Sequence, residues 1–262
     1  MLDAGRPAAV VLAVIVWGLA GVLFGGLFAG LHQMLALFGV AGWQLPVMAA
    51  TIAAMTTATF YGSMPVALVG AMAGVLASIG YLMFDSRQID LGSIILVAAL
   101  VGFAAGAFYA WTARGDERTL AGTITGLIAG LGAGALLALS LALYERPVGM
   151  FVLAAGVVAL VGTLYQLTER WIGHLCATVI PVVLGSPIVA ALIASVVGAS
   201  VWLMAGTTAG TLDAVTREAI EQVLVEIPAG SLGGMIGGAV TGVVLELLGF
   251  RLEDRLSSDI GD

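Results

Sequence analysis

The chain has 262 residues, of which 61% are apolar and 10% charged, and its mean hydropathy is +1.12. Ordinary soluble domains carry about a quarter charged residues, so this composition excludes a soluble globular fold and predicts an all-α polytopic transmembrane protein. The formal net charge of −7 argues against nucleic acid or an anionic lipid surface as a partner.

Ten elements follow from breaks in hydrophobicity. The first, Ala8 to Gly30, follows Arg6 and is too long for a signal h-region. It ends in Leu31-His32-Gln33 without a small-residue cleavage pattern, so it reads as a retained span. The second runs from Pro46 to Tyr61, with proline at the first helical turn. Gly62-Ser63-Met64-Pro65 turns the chain into the third, Val66 to Phe84. The fourth covers Gly92 to Ala113 and the fifth Thr119 to Leu143. Val148 to Leu167 is the sixth, closed by Thr168-Glu169-Arg170. The seventh, Trp171 to Leu184, is short and contains Pro181. Gly185-Ser186-Pro187 leads into the eighth, Ile188 to Ala205. The ninth, Thr211 to Ile227, is amphipathic and net acidic, which suits packing on protein better than on a membrane surface. The tenth is Ala229 to Gly249.

Four glycines spaced every fourth residue occur twice, as Gly122, Gly126, Gly130, Gly134 and as Gly230, Gly234, Gly238, Gly242. On a helix each set forms one stripe along which another backbone can approach closely. The flanks of the stripes match, and Gly62 to Met83 aligns with Gly185 to Met204. These matches predict an internal repeat, with halves at 1–147 and 148–250, the amphipathic helix 211–227 in the second half, and a polar tail at 251–262. The texture resembles that of small two-repeat permeases, but no family-specific motif accompanies it.

About eight spans in two related halves fit the chain. Arg6, Arg114 and Arg118, and Arg251 and Arg255 fall on one side if the amino terminus is inside and the number of spans is even. Eight results if the ninth element lies on the surface and the second or seventh is re-entrant. A short broken segment is tolerated only beside protein or a water-filled cavity, which would put it next to the functional pathway. The lysine-free, acidic composition would suit an organism with a GC-rich genome or a saline habitat, and the expected location is a prokaryotic cytoplasmic membrane.

Glu246 continues the second stripe by one more step of four. A carboxylate facing a packed interior points to a proton or cation relay, and one near Arg251 at the interface points to snorkelling. Glu169, Arg170 and His174 form a second polar cluster, readable as a relay or as a loop between hydrophobic runs. Thr51, Thr56, Thr57, Thr59 and Tyr61 concentrate hydroxyls in the second element, with Ser63 and Ser186 at the two Gly-Ser turns. They could line a path for a polar solute or bond their own helix.

Several chemistries have no basis in the residues. All nine basic residues are arginine, so no lysine Schiff base and no P-loop lysine can exist. Cys176 is alone, which excludes an internal disulfide. His32 and His174 could ligate a haem only at equal depth, which nothing in the sequence requires, so no cofactor and no metal are expected. Hydrolase, metalloprotease and prenyl-diphosphate signatures are absent, and no enzyme activity is expected. The expectation is a transporter or channel for a small solute or ion, with a pathway between two repeats. The alternative is a non-transporting subunit that scaffolds a larger membrane complex. Partners are the lipid bilayer and further subunits, of the same or another chain.

Overall fold

A computed structural model describes residues 6–62, 64–84, 91–113, 118–144, 147–176, 185–209 and 214–250. Its regular elements are eight helices, α1 (Arg6–Leu37), α2 (Gln44–Gly62), α3 (Met64–Phe84), α4 (Leu91–Ala113), α5 (Arg118–Leu143), α6 (Met150–Cys176), α7 (Gly185–Ala209) and α8 (Ala214–Leu247). Six of them contain stretches long and apolar enough to cross a membrane, namely α1, α3, α4, α5, α6 and α8. Among the described residues all regular structure is thus helical, and the six apolar stretches make this an integral membrane protein in character.

Two sequence expectations are corrected. The ninth and tenth elements are one helix, α8, which runs 34 residues without interruption through Pro228. Proline removes one rung of the backbone ladder, but its φ is helical, and the neighbouring turns carry the helix past it. The amphipathic segment 211–227 is therefore not a separate surface helix; its described part is the amino-terminal portion of a 31-residue candidate span. Thr168-Glu169-Arg170 likewise lies inside α6 and does not end it. Glu and Arg are good helix formers, and Thr168 Oγ1 donates to the Leu164 carbonyl at 2.8 Å, so the charges mark no break in the backbone. Trp171 to Cys176 thus completes α6, and the rest of the seventh element, with Pro181, lies outside the described residues.

The helices form two compact units that do not follow chain order. The first comprises 1–54, 127–168 and 222–262, and the second 55–126 and 169–221.

In the first unit α8 carries glycine on two faces. Gly230, Gly234, Gly238 and Gly242 meet α1 backbone at Gly25, Gly21, Trp17 and Ala13 in turn. Each step of four up α8 is a step of four down α1, so the helices are antiparallel and in register. A Cβ on Gly234 would lie 2.8 Å from the Gly25 Cα, and one on Gly242 2.6 Å from the Ala13 carbonyl oxygen, so no side chain fits. The other face, Gly233 and Gly237, meets Phe151 and Ala155 of α6, while Thr241 fills the notch at Gly162. These contacts rise together along both chains, so α6 and α8 are parallel. Gly130 and Gly134 of α5 meet Thr51 and Val47 of α2, an antiparallel pair. Phe28, Ala53, Ala133 and Val157 lie in the core that these helices share.

In the second unit α7 packs against α3 and α4. The Ala190 methyl enters notches at Gly70 and Gly106, and the Ala194 methyl enters those at Gly74 and Gly102. Gly198 receives Ser78 and Ala98. The order of contacts makes α3 and α7 parallel and α4 antiparallel to both.

Candidate functional site

Inside helices this apolar, each polar side chain needs a local explanation, because bilayer hydrocarbon offers no hydrogen bonds. Most hydroxyls have one. Those of Thr51, Ser78, Thr125 and Thr241 donate to the carbonyl four residues back, at 2.7 to 3.0 Å. These groups are satisfied within their own helix and carry no further implication.

Among the described residues the exceptions include Trp202 of α7, whose buried Nε1 has no hydrogen-bond partner, and groups in three further places. In the second unit Thr59 and Thr123 share a 2.6 Å hydroxyl–hydroxyl bond between α2 and α5. Thr57 is buried at 8% exposure, and its Oγ1 has no hydrogen-bond partner among the described residues. Thr56, half-buried, lies three residues before Thr59 and hence on the same helix face.

The second place is the far end of α8. Glu246 is half-buried, and its Oε2 is buried without a hydrogen-bond partner. Its backbone carbonyl accepts the Gly249 N–H at 3.1 Å, and the Phe250 N–H donates to Leu245 at 3.0 Å. With Gly249 at φ 87°, this is a glycine-terminated helix end, so Glu246 sits in the last turn.

The third place was not anticipated as a site. His32, near the carboxyl end of α1, stacks on the fully buried Phe28 with ring centroids 5.7 Å apart and planes tilted by 51°. Its Nδ1 is buried with no hydrogen-bond partner among the described residues, and the packing of α1 on α8 brings Glu226 to the same end of this helix pair. The glycine register explains the meeting. Gly26 and Gly30 of α1 face Ile227, which places the next residues of α1 beside Glu226. Glu226 is separated from the stripe by one step of four before Gly230, just as Glu246 is by one step after Gly242. That symmetry of spacing was the available signal.

The remaining expected residues are dispersed. Glu169 is half-buried on α6 and belongs to the second unit, whereas Glu246 belongs to the first. Arg170 and His174 lie on α6 and Ser186 on α7, with side chains outside the described residues, as is Ser63 altogether. Gly122 and Gly126 are buried in α5 within the second unit, and Gly130 and Gly134 belong to the first. All four glycines of the α8 stripe belong to the first unit, so the two stripes are not divided alike.

Among the described residues no group of three or more His, Cys, Asp or Glu side chains is placed to hold a metal ion. A groove lined by Trp43, Val47, Leu131, Ala135, Leu139 and Ala142 is apolar and offers nothing to orient a polar ligand. Compared with protein families, curated proteins and solved structures, the chain matches none.

Proposed function

We propose that this chain is an integral membrane transporter or channel for a small polar solute or ion. The observation that carries the reading is the unpartnered Thr57 hydroxyl on α2, buried in a unit where Thr59 and Thr123 already join α2 to α5 through hydroxyls. A buried hydroxyl without a protein acceptor costs about 1–3 kcal/mol, which a passing solute, ion or water offsets.

The directions of packing support eight alternating passes, including α2 and α7. Under alternation α3 and α7 run the same way and α4 oppositely; likewise α6 and α8 run the same way and α1 oppositely, as in each unit's contacts. The arginines then favour an amino terminus inside a prokaryotic cytoplasmic membrane. The aligned segments of α3 and α7 are the remaining support for an internal repeat.

The test is flux. Purified protein in liposomes is assayed with a panel of small polar solutes and monovalent ions, and Thr57→Val is expected to lower the rate at unchanged stability. Flux no greater than in protein-free liposomes across the panel would sink the reading. It would favour the alternative, a scaffolding subunit, for which the exposed Glu218, Glu221 and Gln222 of α8 offer a polar surface to a partner.

A further inference from the structure

The α1–α8 seam has polar groups at its ends and none that is charged between them. From Glu226 to Glu246 is about 20 residues, or about 30 Å along a helix, the thickness of bilayer hydrocarbon. Between them Ile227 to Leu245 carries only Ser231 and Thr241 as polar side chains. The backbone contact at Gly21, Gly25, Gly230 and Gly234 leaves no room for the helices to slide, so what stands at the end of the seam is held there.

At the Glu226 end the seam holds an acid and an imidazole on opposite helices. The stack on Phe28 limits how the ring can turn, and the buried Nδ1 has no protein partner. No other described charge in the first unit competes for it. The unit's part of α2 has no titratable side chain, α5 is followed by Tyr144, and α6 contributes Tyr165. Glu246 is at the opposite end of α8. On α8 itself Arg217, Glu218 and Glu221 precede Glu226 and belong to the second unit.

We propose that His32 and Glu226 form a proton-binding site at one end of the α1–α8 seam, the coupling site of the transport function proposed above, on which this role rests. One proton enters from water on the Glu226 side, and imidazole nitrogen takes it. The pair then passes from a net charge of −1, neutral ring beside carboxylate, to zero, imidazolium beside carboxylate. Release of that proton restores the first state. Histidine suits this exchange because an unperturbed imidazole changes charge near neutral pH, burial disfavours its protonated form and a nearby carboxylate favours it.

The experiment reads the site without requiring transport. Protein labelled with ring-¹⁵N histidine is placed in nanodiscs, and the two imidazoles are assigned with His174→Gln. The ring ¹⁵N signals are followed from about pH 8 to about pH 5, and His32 is expected to gain a proton as the pH falls. Glu226→Gln is expected to displace its midpoint by about one to two pH units, and Glu246→Gln to leave it in place. An unchanged midpoint in Glu226→Gln, or a ring that takes no proton across that range, overturns the proposal. If Glu226→Gln does not fold, Glu226→Asp replaces it, and again a displaced midpoint supports the site and an unchanged one overturns it. Proton-driven uptake is measured separately in liposomes. Coupled titration without uptake of any solute sinks the transport reading and leaves the proton site standing, whereas uptake without coupled titration does the reverse.

Discussion

The two units bring helices close by different means. In the first, glycines of α8 lie directly on the α1 backbone, so that carbonyl oxygens of Trp17 and Ala13 occupy the space where a side chain would begin. In the second, alanine methyls of α7 fill glycine notches on α3 and α4. Lipid tails are as apolar as the side chains they contact, so neither arrangement gains much from the hydrophobic effect, and both depend on van der Waals fit. The difference lies in what can be exchanged. A methyl in a notch can be moved from one helix to the other, whereas a backbone carbonyl cannot be removed by any substitution.

The largest effect is therefore expected at the seam. Gly234→Leu should yield no monodisperse folded protein on size-exclusion chromatography, because the Gly21 carbonyl blocks even its first side-chain atom. A variant as stable as wild type would mean that the two backbones are not in contact.

An exchange sharpens the contrast. Gly74→Ala places a methyl 2.7 Å from the Ala194 methyl and should destabilise by about 1–3 kcal/mol. Ala194→Gly empties the same space and should cost about 1–2 kcal/mol, including the lower helix propensity of glycine. The double variant should recover part of the loss, since the intruding methyl then meets no methyl opposite. Gly234→Ala combined with any change at Gly21 should recover nothing. Denaturation in detergent compares the two cycles, and equal recovery would erase the distinction.

The smallest effect is expected at Glu246. A carboxylate in the last turn of a helix faces the negative end of the dipole, so Glu246→Gln should leave stability unchanged or raise it by a few tenths of a kcal/mol. A large fall in thermal stability would show that the carboxylate has a cationic partner. Loss of flux at unchanged stability would make it part of a relay.

The sequence was most readable where composition alone decides. The apolar runs of α1, α3, α4 and α5 located those helices, and the stripe from Gly230 to Gly242 marked a face of close approach. It was least readable where polarity and backbone structure part company. Glu169 and Arg170 interrupt hydropathy without interrupting hydrogen bonds, and Pro228 removes one rung from a helix that continues on both sides. The second glycine face of α8 was hidden because Gly233 and Gly237 sit directly beside Gly234 and Gly238, so that one run serves two neighbours. Glu226, within the ninth element, was not singled out in the sequence, and only the register of α8 with α1 brings it to the His32 end of the seam.

The seam also has a consequence for synthesis at the ribosome. Ala13 to Gly25 of α1 find their counterpart in Gly230 to Gly242 of α8, with α2 to α7 lying between them in the chain. While the intervening helices are made, the glycine face of α1 must wait in the bilayer against lipid or an insertion factor. The first unit can close only once α8 has emerged. A chain interrupted after Ala209 leaves the glycine face of α1 without its counterpart.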